Sequence, residues 1–230
     1  AARRSDILAR IVATKRRELE ELGPRRAELE ARLRDAPPPR DFHGALEAET
    51  VSLIAEVKRR SPGAGEIRPG LEAAELARRY EAAGARAVSV LTDGPWFGGS
   101  LADLEAARAS VSIPILRKDF TLDPLQVLEA RAAGADAVLL IVRILDDDTL
   151  RRLLDAAASV GAAALVEVHS REELDRALEA GAAIVGVNNR DLTTFRTDLG
   201  VTEGLLGRVP GDVVVVSESG IRSGADVARL

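Results

Sequence analysis

Cysteine is absent from the 230 residues, and so is methionine; aromatic residues make up 3%. Without cysteine there is no disulfide framework, no thiolate nucleophile and no cysteine-based metal site. His43 and His169 are the only imidazoles, so a structural zinc site is not expected and no metal is assigned. The net charge is −5, without the basic excess of a nucleic-acid-binding protein. No apolar run approaches the length of a membrane span. The first residues carry charges where a signal peptide needs its apolar core. These absences point to a soluble, cytoplasmic protein. The lack of methionine even at position 1 suggests that the sequence does not include its natural start.

What is present is globular: 46% hydrophobic and 30% charged residues, 19 glycines and 10 prolines, with length enough for a large core. One pattern recurs, an amphipathic helix followed by Gly-Ala and a short apolar run: EAAGARAVSVL (81–91), RAAGADAVLLI (131–141), ASVGAAALVEV (158–168) and LEAGAAIVGV (178–187). Glycine can end a helix in the left-handed conformation. The apolar runs suit parallel strands covered on both faces. Strands are expected near 51–57, 86–91, 113–117, 136–142, 163–168, 183–187 and 212–217. Helices are expected near 71–83, 100–109, 122–133, 147–160, 171–180 and 199–206, with another beginning about 222. Seven βα units at this spacing suggest a (β/α)8 barrel or a doubly wound sheet. No G-x-G-x-x-G follows the first strand, which counts against a dinucleotide fold. Residues 1–50 read as a helical extension packed on the barrel of residues 51–230: a charged amphipathic helix over 5–22, a Gly23-Pro24 break, then a second helix ended by the prolines at 37–39.

In such barrels the C-terminal ends of the strands line the active site. In LIAEVKRRSPGAG (53–65), Glu56 and Lys58 interrupt an apolar strand two residues apart, so they share a face. Ser61 follows. Further on come Arg117, Lys118 and Asp119; Glu167; Asn188, Asn189 and Arg190; and Glu218, Ser219 and Gly220. A single charge at a strand end is usually a solvated loop residue. Several strands delivering charges to one rim allow mutual pairing and supply general acids and bases. The Ser219-Gly220 turn and Ser61 are candidates for holding a phosphate, although an ordinary tight turn accounts for Ser-Gly equally well. Phe97 and Phe120, just after strands two and three, are either core residues or a surface for an aromatic ring. His43 and His169 read as surface loop residues.

These blocks, IAEVKRRSP (54–62), SVLTDGPWFGGSLADL (89–104), PILRKDF (114–120), GADAVLLIVRIL (134–145), ALVEVH (164–169), VGVNNRDL (185–192) and VSESGI (216–221), together resemble the indole-3-glycerol-phosphate synthase family. The resemblance implies a (β/α)8 TIM barrel and an N-terminal helical extension over its mouth. It implies a carboxy-lyase of tryptophan biosynthesis that turns 1-(2-carboxyphenylamino)-1-deoxyribulose 5-phosphate into indole-3-glycerol phosphate without a cofactor. By the same resemblance Lys118 protonates the ketone oxygen during ring closure, and Lys58 and Glu167 serve the dehydration in roles left undivided. Glu56 orients a lysine. Asn188, Arg190 and Glu218 position substrate, with Arg190 near the departing carboxylate. Ser61, Ser219 and Gly220 contact phosphate, and Phe97, Phe120 and Leu139 pack on the anthranilate ring.

Two departures stand out. Gly63 occupies a position where the family more often has serine, and the sequence stops before an eighth strand. A seven-stranded remnant would leave two unpaired edges, so the native protein is expected to continue, as a monomer or weak homo-oligomer. Three rivals remain at this point: a phosphoribosylanthranilate-isomerase-like barrel, disfavoured because its usual base is a cysteine; an aldolase-type barrel in which Lys118 or Lys58 forms a Schiff base; and an impaired scaffold that keeps the residues without turnover.

Overall fold

Four times a helix ends on Gly-Ala, and each time the backbone does the same thing. Gly84, Gly134, Gly161 and Gly181 take φ of 93°, 93°, 71° and 88°. The following alanine N–H then reaches back to a carbonyl five residues earlier: Ala85 to Tyr80, Ala135 to Ala130, Ala162 to Ala157 and Ala182 to Ala177, at 2.9–3.0 Å. The left-handed residue closes the helix, satisfies its last carbonyls and turns the chain into the next strand.

The computed structural model describes residues 7–48, 50–191 and 196–230. The start of the first expected helix, Ser5 and Asp6, lies outside the described residues. From there α1 (Ile7–Leu22), a 3₁₀ turn (Gly23–Arg25), α2 (Arg26–Asp35) and α3 (Phe42–Leu46) lead to β1 (Ile54–Val57). A two-residue hairpin follows, β2 (Arg60–Ser61) with β3 (Gly65–Glu66), and then α4 (Ala73–Ala82), β4 (Ala87–Leu91), α5 (Gly94–Phe97), α6 (Leu101–Ser110) and β5 (Ile115–Lys118). The remainder alternates: α7 (Pro124–Ala132), β6 (Ala137–Ile141), a 3₁₀ turn (Val142–Ile144), α8 (Asp147–Ser159), β7 (Ala163–Val168), α9 (Arg171–Glu179), β8 (Ile184–Asn188), α10 (Gly200–Leu206), β9 (Val214–Glu218) and α11 (Gly224–Arg229). Side-chain caps start most of the later helices. Ser100, Asp123, Asp146, Ser170 and Ser223 each accept a backbone N–H of the first turn, satisfying donors that the helix cannot.

Seven strands form one all-parallel sheet in the order β1-β4-β5-β6-β7-β8-β9, a curled α/β half-barrel of the TIM-barrel kind. Each expected strand and barrel helix is present. Residues 51–53 fall outside β1, where Val51 and Leu53 are 75% and 55% exposed. The β2–β3 hairpin and α5 are additions that no periodicity announces, being too short to show one. Among the described residues β1 and β9 are the sheet's two edges, with no pairing between them.

The core has an outer and an inner part. The outer one lies between strands and helices and includes Val88, Leu104, Ile115, Leu140, Leu150 and Leu174. The inner one lies within the curl, where Phe42 meets Leu116, Leu139, Leu165 and Ile184. α3 is therefore a plug. Its start is fixed by Asp41, whose side chain accepts from Gly44 N at 2.8 Å. Leu22 and Leu29 pack with Leu125 of α7 and seat the first two helices on the outside of the sheet. No described helix is long and apolar enough to cross a membrane.

Phe42→Ala should empty the plug. Its side chain is 1% exposed, so the expected loss is about 3–5 kcal/mol, read as a lower urea midpoint at an unchanged slope.

Candidate active site

Strand alternation sends every second side chain to the interior, and at the C-terminal ends of β1, β5, β7 and β9 the interior ones are charged. All thirteen candidate residues line one cavity of about 940 Å³: Glu56, Lys58, Ser61, Phe97, Lys118, Phe120, Leu139, Glu167, Asn188, Arg190, Glu218, Ser219 and Gly220. They come from the ends of β1, β4, β5, β6, β7, β8 and β9 and the loops that follow.

Lys118 sits at the centre. Its Nζ lies 3.0 Å from Glu218 Oε2 and 3.2 Å from Glu56 Oε2. Burial alone would lower its pKa; Glu218, Glu56 and Glu167 outweigh that and raise it above the ordinary lysine value. Glu56 pairs with Lys58 as well as with Lys118. Burial works to raise the Glu56 carboxyl, but the two ammonium groups, Lys118 foremost, bring it down to about 2. Glu218 goes the other way. Burial raises it to about 7, with Glu167 adding to the rise and Lys118 opposing it. Identical side chains thus differ by environment, a usual way to separate acid from base.

Glu218 needs room, and Gly186 supplies it. β8 and β9 run in parallel with Gly186 opposite Val216. A Cβ on Gly186 would overlap Glu218 Oε1 and press on Leu165. The glycine in VGVNN is there for space rather than for an unusual φ.

Glu167 is buried and accepts from Asn188 Nδ2 at 3.2 Å. Burial opposes its charge, while His169, Lys118 and Asn188 overcome that and lower its pKa. Here a sequence expectation is corrected. His169 is no surface loop residue: its side chain is 3% exposed, with Nε2 3.2 Å from Glu167 and Nδ1 3.2 Å from Glu173. β7 runs on to Val168, so His169 is carried along the strand direction into a carboxylate-lined slot. His43 does lie near the surface, 34% exposed beside Glu47.

Of the rim residues outside the thirteen, Arg117 and Asn189 turn away from the cavity. Arg117 pairs with Glu129 at 2.9 Å and Asp119 at 3.3 Å. Asn189 donates to Ser217 Oγ and the Ser219 carbonyl and accepts from Thr202. Ser219 is the one described non-glycine residue with positive φ, 68°, and Gly220 follows at 85°. The turn thus holds consecutive left-handed residues at the cavity wall, a strained conformation of the sort found at ligand clamps. Phe97 and Phe120 face each other with centroids 5.9 Å apart. Ser61 is buried and accepts from Ala64 N at 3.2 Å.

The residue that sequence reasoning missed is Lys15. It lies on the charged helix α1, yet is 2% exposed, with Nζ 2.8 Å from Asp93, 2.9 Å from Asp119 and 2.8 Å from Glu18. Asp93 also caps α5, accepting from Trp96 N and Phe97 N. Asp119 follows Lys118 and precedes Phe120. One ammonium therefore ties α1 to both loops that carry the aromatic wall. Arg10 adds a second tie, its guanidinium carbon 5.1 Å from the centre of the Trp96 ring. The sequence signal was faint: a lysine at one turn's spacing from the buried Ile11 on the packed stripe.

Fold and site define a barrel-type α/β enzyme with an acid–base cluster at the C-terminal mouth. The overall fold matches N-acetylmannosamine-6-phosphate 2-epimerase from Clostridium perfringens at a TM-score of 0.65 and 16% identity, covering 84% of this chain and 87% of that one. It also matches 3-hexulose-6-phosphate synthase from Salmonella typhimurium at 0.58 and 15%, covering 74% and 80%; both likenesses concern fold alone. The family model for indole-3-glycerol phosphate synthase matches residues 8–230, and this chain belongs to that family. It is 50% identical over 234 residues to the indole-3-glycerol phosphate synthase of Opitutus terrae, covering 98% of this chain and 88% of the relative. It is 54% identical over 200 residues to that of Saccharopolyspora erythraea, covering 87% and 74%.

Lys15→Met leaves Asp93 buried without its cation. It should cost about 3–5 kcal/mol and shift the emission of Trp96, the only tryptophan. Gly186→Ala should keep the fold and displace Glu218, lowering turnover with little change in melting temperature.

Proposed function

We propose that this chain closes, decarboxylates and dehydrates 1-(2-carboxyphenylamino)-1-deoxyribulose 5-phosphate to indole-3-glycerol phosphate, with Lys118 as the first proton donor. One observation carries the reading: a half-buried ammonium between Glu56 and Glu218, next to an ionised Glu167, in a cavity with an aromatic wall at one side and the Ser219-Gly220 turn at another.

The ring carbon bearing the carboxylate attacks the ketone carbon. Charge develops on the ketone oxygen, and Lys118 stabilises and protonates it. The bond to the carboxylate then breaks; carbon dioxide leaves and its electron pair restores the aromatic ring. Lys58 protonates the new hydroxyl, which departs as water. Glu167 takes a proton from the adjacent carbon, and the indole double bond forms. Two protons are donated and one accepted, matching the single proton that the overall reaction consumes from a carboxylate substrate. The division between Lys58 and Glu167 rests on charge state: Glu167 is held as a carboxylate and so accepts, while an ammonium can only give. Arg190 faces the departing carboxylate, Asn188 and Glu218 position the substrate, Phe97, Phe120 and Leu139 sandwich the anthranilate ring, and Ser61, Ser219 and Gly220 hold the phosphate. A Schiff-base role for Lys118 is disfavoured, since a nucleophilic amine needs a lowered pKa and Lys118 is raised.

We also propose residues 1–50 as a helical extension and 51–230 as the barrel proper, of the (β/α)8 kind. The all-parallel strand order β1-β4-β5-β6-β7-β8-β9 supports this. A cytoplasmic monomer or weak homo-oligomer that does not bind nucleic acid is the accompanying reading, supported by the net charge of −5.

Lys118→Ala should cost about 10²–10⁴-fold in turnover with the circular dichroism spectrum unchanged, followed by the fluorescence of the indole product. Near-normal turnover in that variant would refute the assignment.

A further inference from the structure

We propose that His169 is a positioning residue for this reaction: a doubly protonated imidazole, clamped between Glu173 and Glu167, that fixes Glu167 as an aimed, ionised proton acceptor. The inference rests on the reading of Glu167 as the base.

The argument is first one of hydrogen positions. A neutral imidazole has one N–H and one lone pair. Here both ring nitrogens face carboxylate oxygens, Nε2 at 3.2 Å from Glu167 Oε1 and Nδ1 at 3.2 Å from Glu173 Oε2. A neutral ring would turn a lone pair on one carboxylate; only the imidazolium suits both. The Nε2 contact is an ion pair at this distance rather than a well-aligned hydrogen bond. Burial alone would lower the ring's pKa, but Glu167 and Glu173 raise it to about 9.

The clamp is built into the chain. Glu167 and His169 are two residues apart and share a face of the strand direction. Glu173 is fixed independently, accepting from His169 N at 2.7 Å and from Arg143 Nε at 2.8 Å. It stands at the third position of α9, whose cap Ser170 accepts its N–H. His169 is not among the residues lining the cavity, so it acts through Glu167. The charged groups around the pair are Glu173 from α9 and Arg143 from the turn after β6 on the His169 side, with Lys118 and Glu218 on the Glu167 side, where Asn188 also donates.

The sign follows. Removing the imidazolium removes a cation beside Glu167 and raises its pKa. The fraction of Glu167 able to accept a proton then falls on the acid side and recovers as pH rises. Lys118 and Asn188 remain, so the shift is partial. Arg143 and Glu173 stay paired with one another.

The test is a pH profile of kcat, from about pH 3.5 to 8.5, for the 230-residue chain, His169→Gln, Glu173→Gln and Glu167→Gln, with melting temperatures alongside. For His169→Gln the acid limb should move up by about one unit, so that kcat falls up to about tenfold near pH 4 and hardly at all near pH 7. KM should change little. Glu173→Gln should move the same limb in the same direction by less, and it serves alone if His169→Gln fails to fold. An acid limb unmoved in a folded His169→Gln or Glu173→Gln, or a fall in kcat equal at every pH and tracking the melting temperature, overturns the proposal. If Glu167→Gln is inactive while the limb stays put, this inference fails and the base assignment stands. If Glu167→Gln keeps turnover, the base assignment itself fails.

Discussion

The structure depends on one arrangement of charge: the Lys118 ammonium held among Glu56, Glu167 and Glu218. A lone buried ammonium is costly, and three converging carboxylates would repel one another. Together each makes the other tolerable. The partners come from four strands, β1, β5, β7 and β9, so the cluster forms only when the sheet has curled with every strand in register. A one-residue slip in any of them would send its charge outward among the helices. Register thus has an electrostatic check besides the hydrophobic one. The same coupling separates the carboxylates, with Glu56 driven down by two cations and Glu218 left raised by its burial.

A second ionic layer lies around the first. Lys15, Asp93, Asp119 and Arg117 alternate in sign across α1, the loop before α5 and the end of β5. Strand alternation separates the two layers at a single point: Lys118 faces the cavity, while Arg117 and Asp119 belong to the outer network. α1 is consequently part of the mouth. Through Asp93 it bears on Phe97, and through Asp119 on Phe120, the two rings that meet at 5.9 Å.

Much of this was legible in the sequence, for reasons that differ by element. The Gly-Ala repeat announces strand starts because the helix stop is local backbone chemistry. Lys118 and Glu56 stand out because charge is anomalous in a run apolar on both faces. Lys15 was hidden for the converse reason. In KRRELEEL a lysine is unremarked, and its burial depends on acids delivered by two distant loops. His169 was misread similarly: a histidine after a strand looks like loop, and only the return of α9, bringing Glu173 back over it, makes a slot. Local rules were readable; pairings between remote segments were not.

The Ser219-Gly220 turn joins these themes. A serine at positive φ is strained, at a cost of order 1–3 kcal/mol, and persists only where its surroundings over-determine it. They do so here. Asn189 holds the Ser219 carbonyl, is itself fixed by Thr202 at the start of α10, and shares Ser217 with that threonine. Asn189, which turns away from the cavity after β8, thus helps to force the next turn to face it. Gly220 is confined as well, because a Cβ there would run into Thr197. Backbone strain at one wall and opposed charges at the other are both held by contacts within the protein, so the cavity's shape is set before anything binds in it.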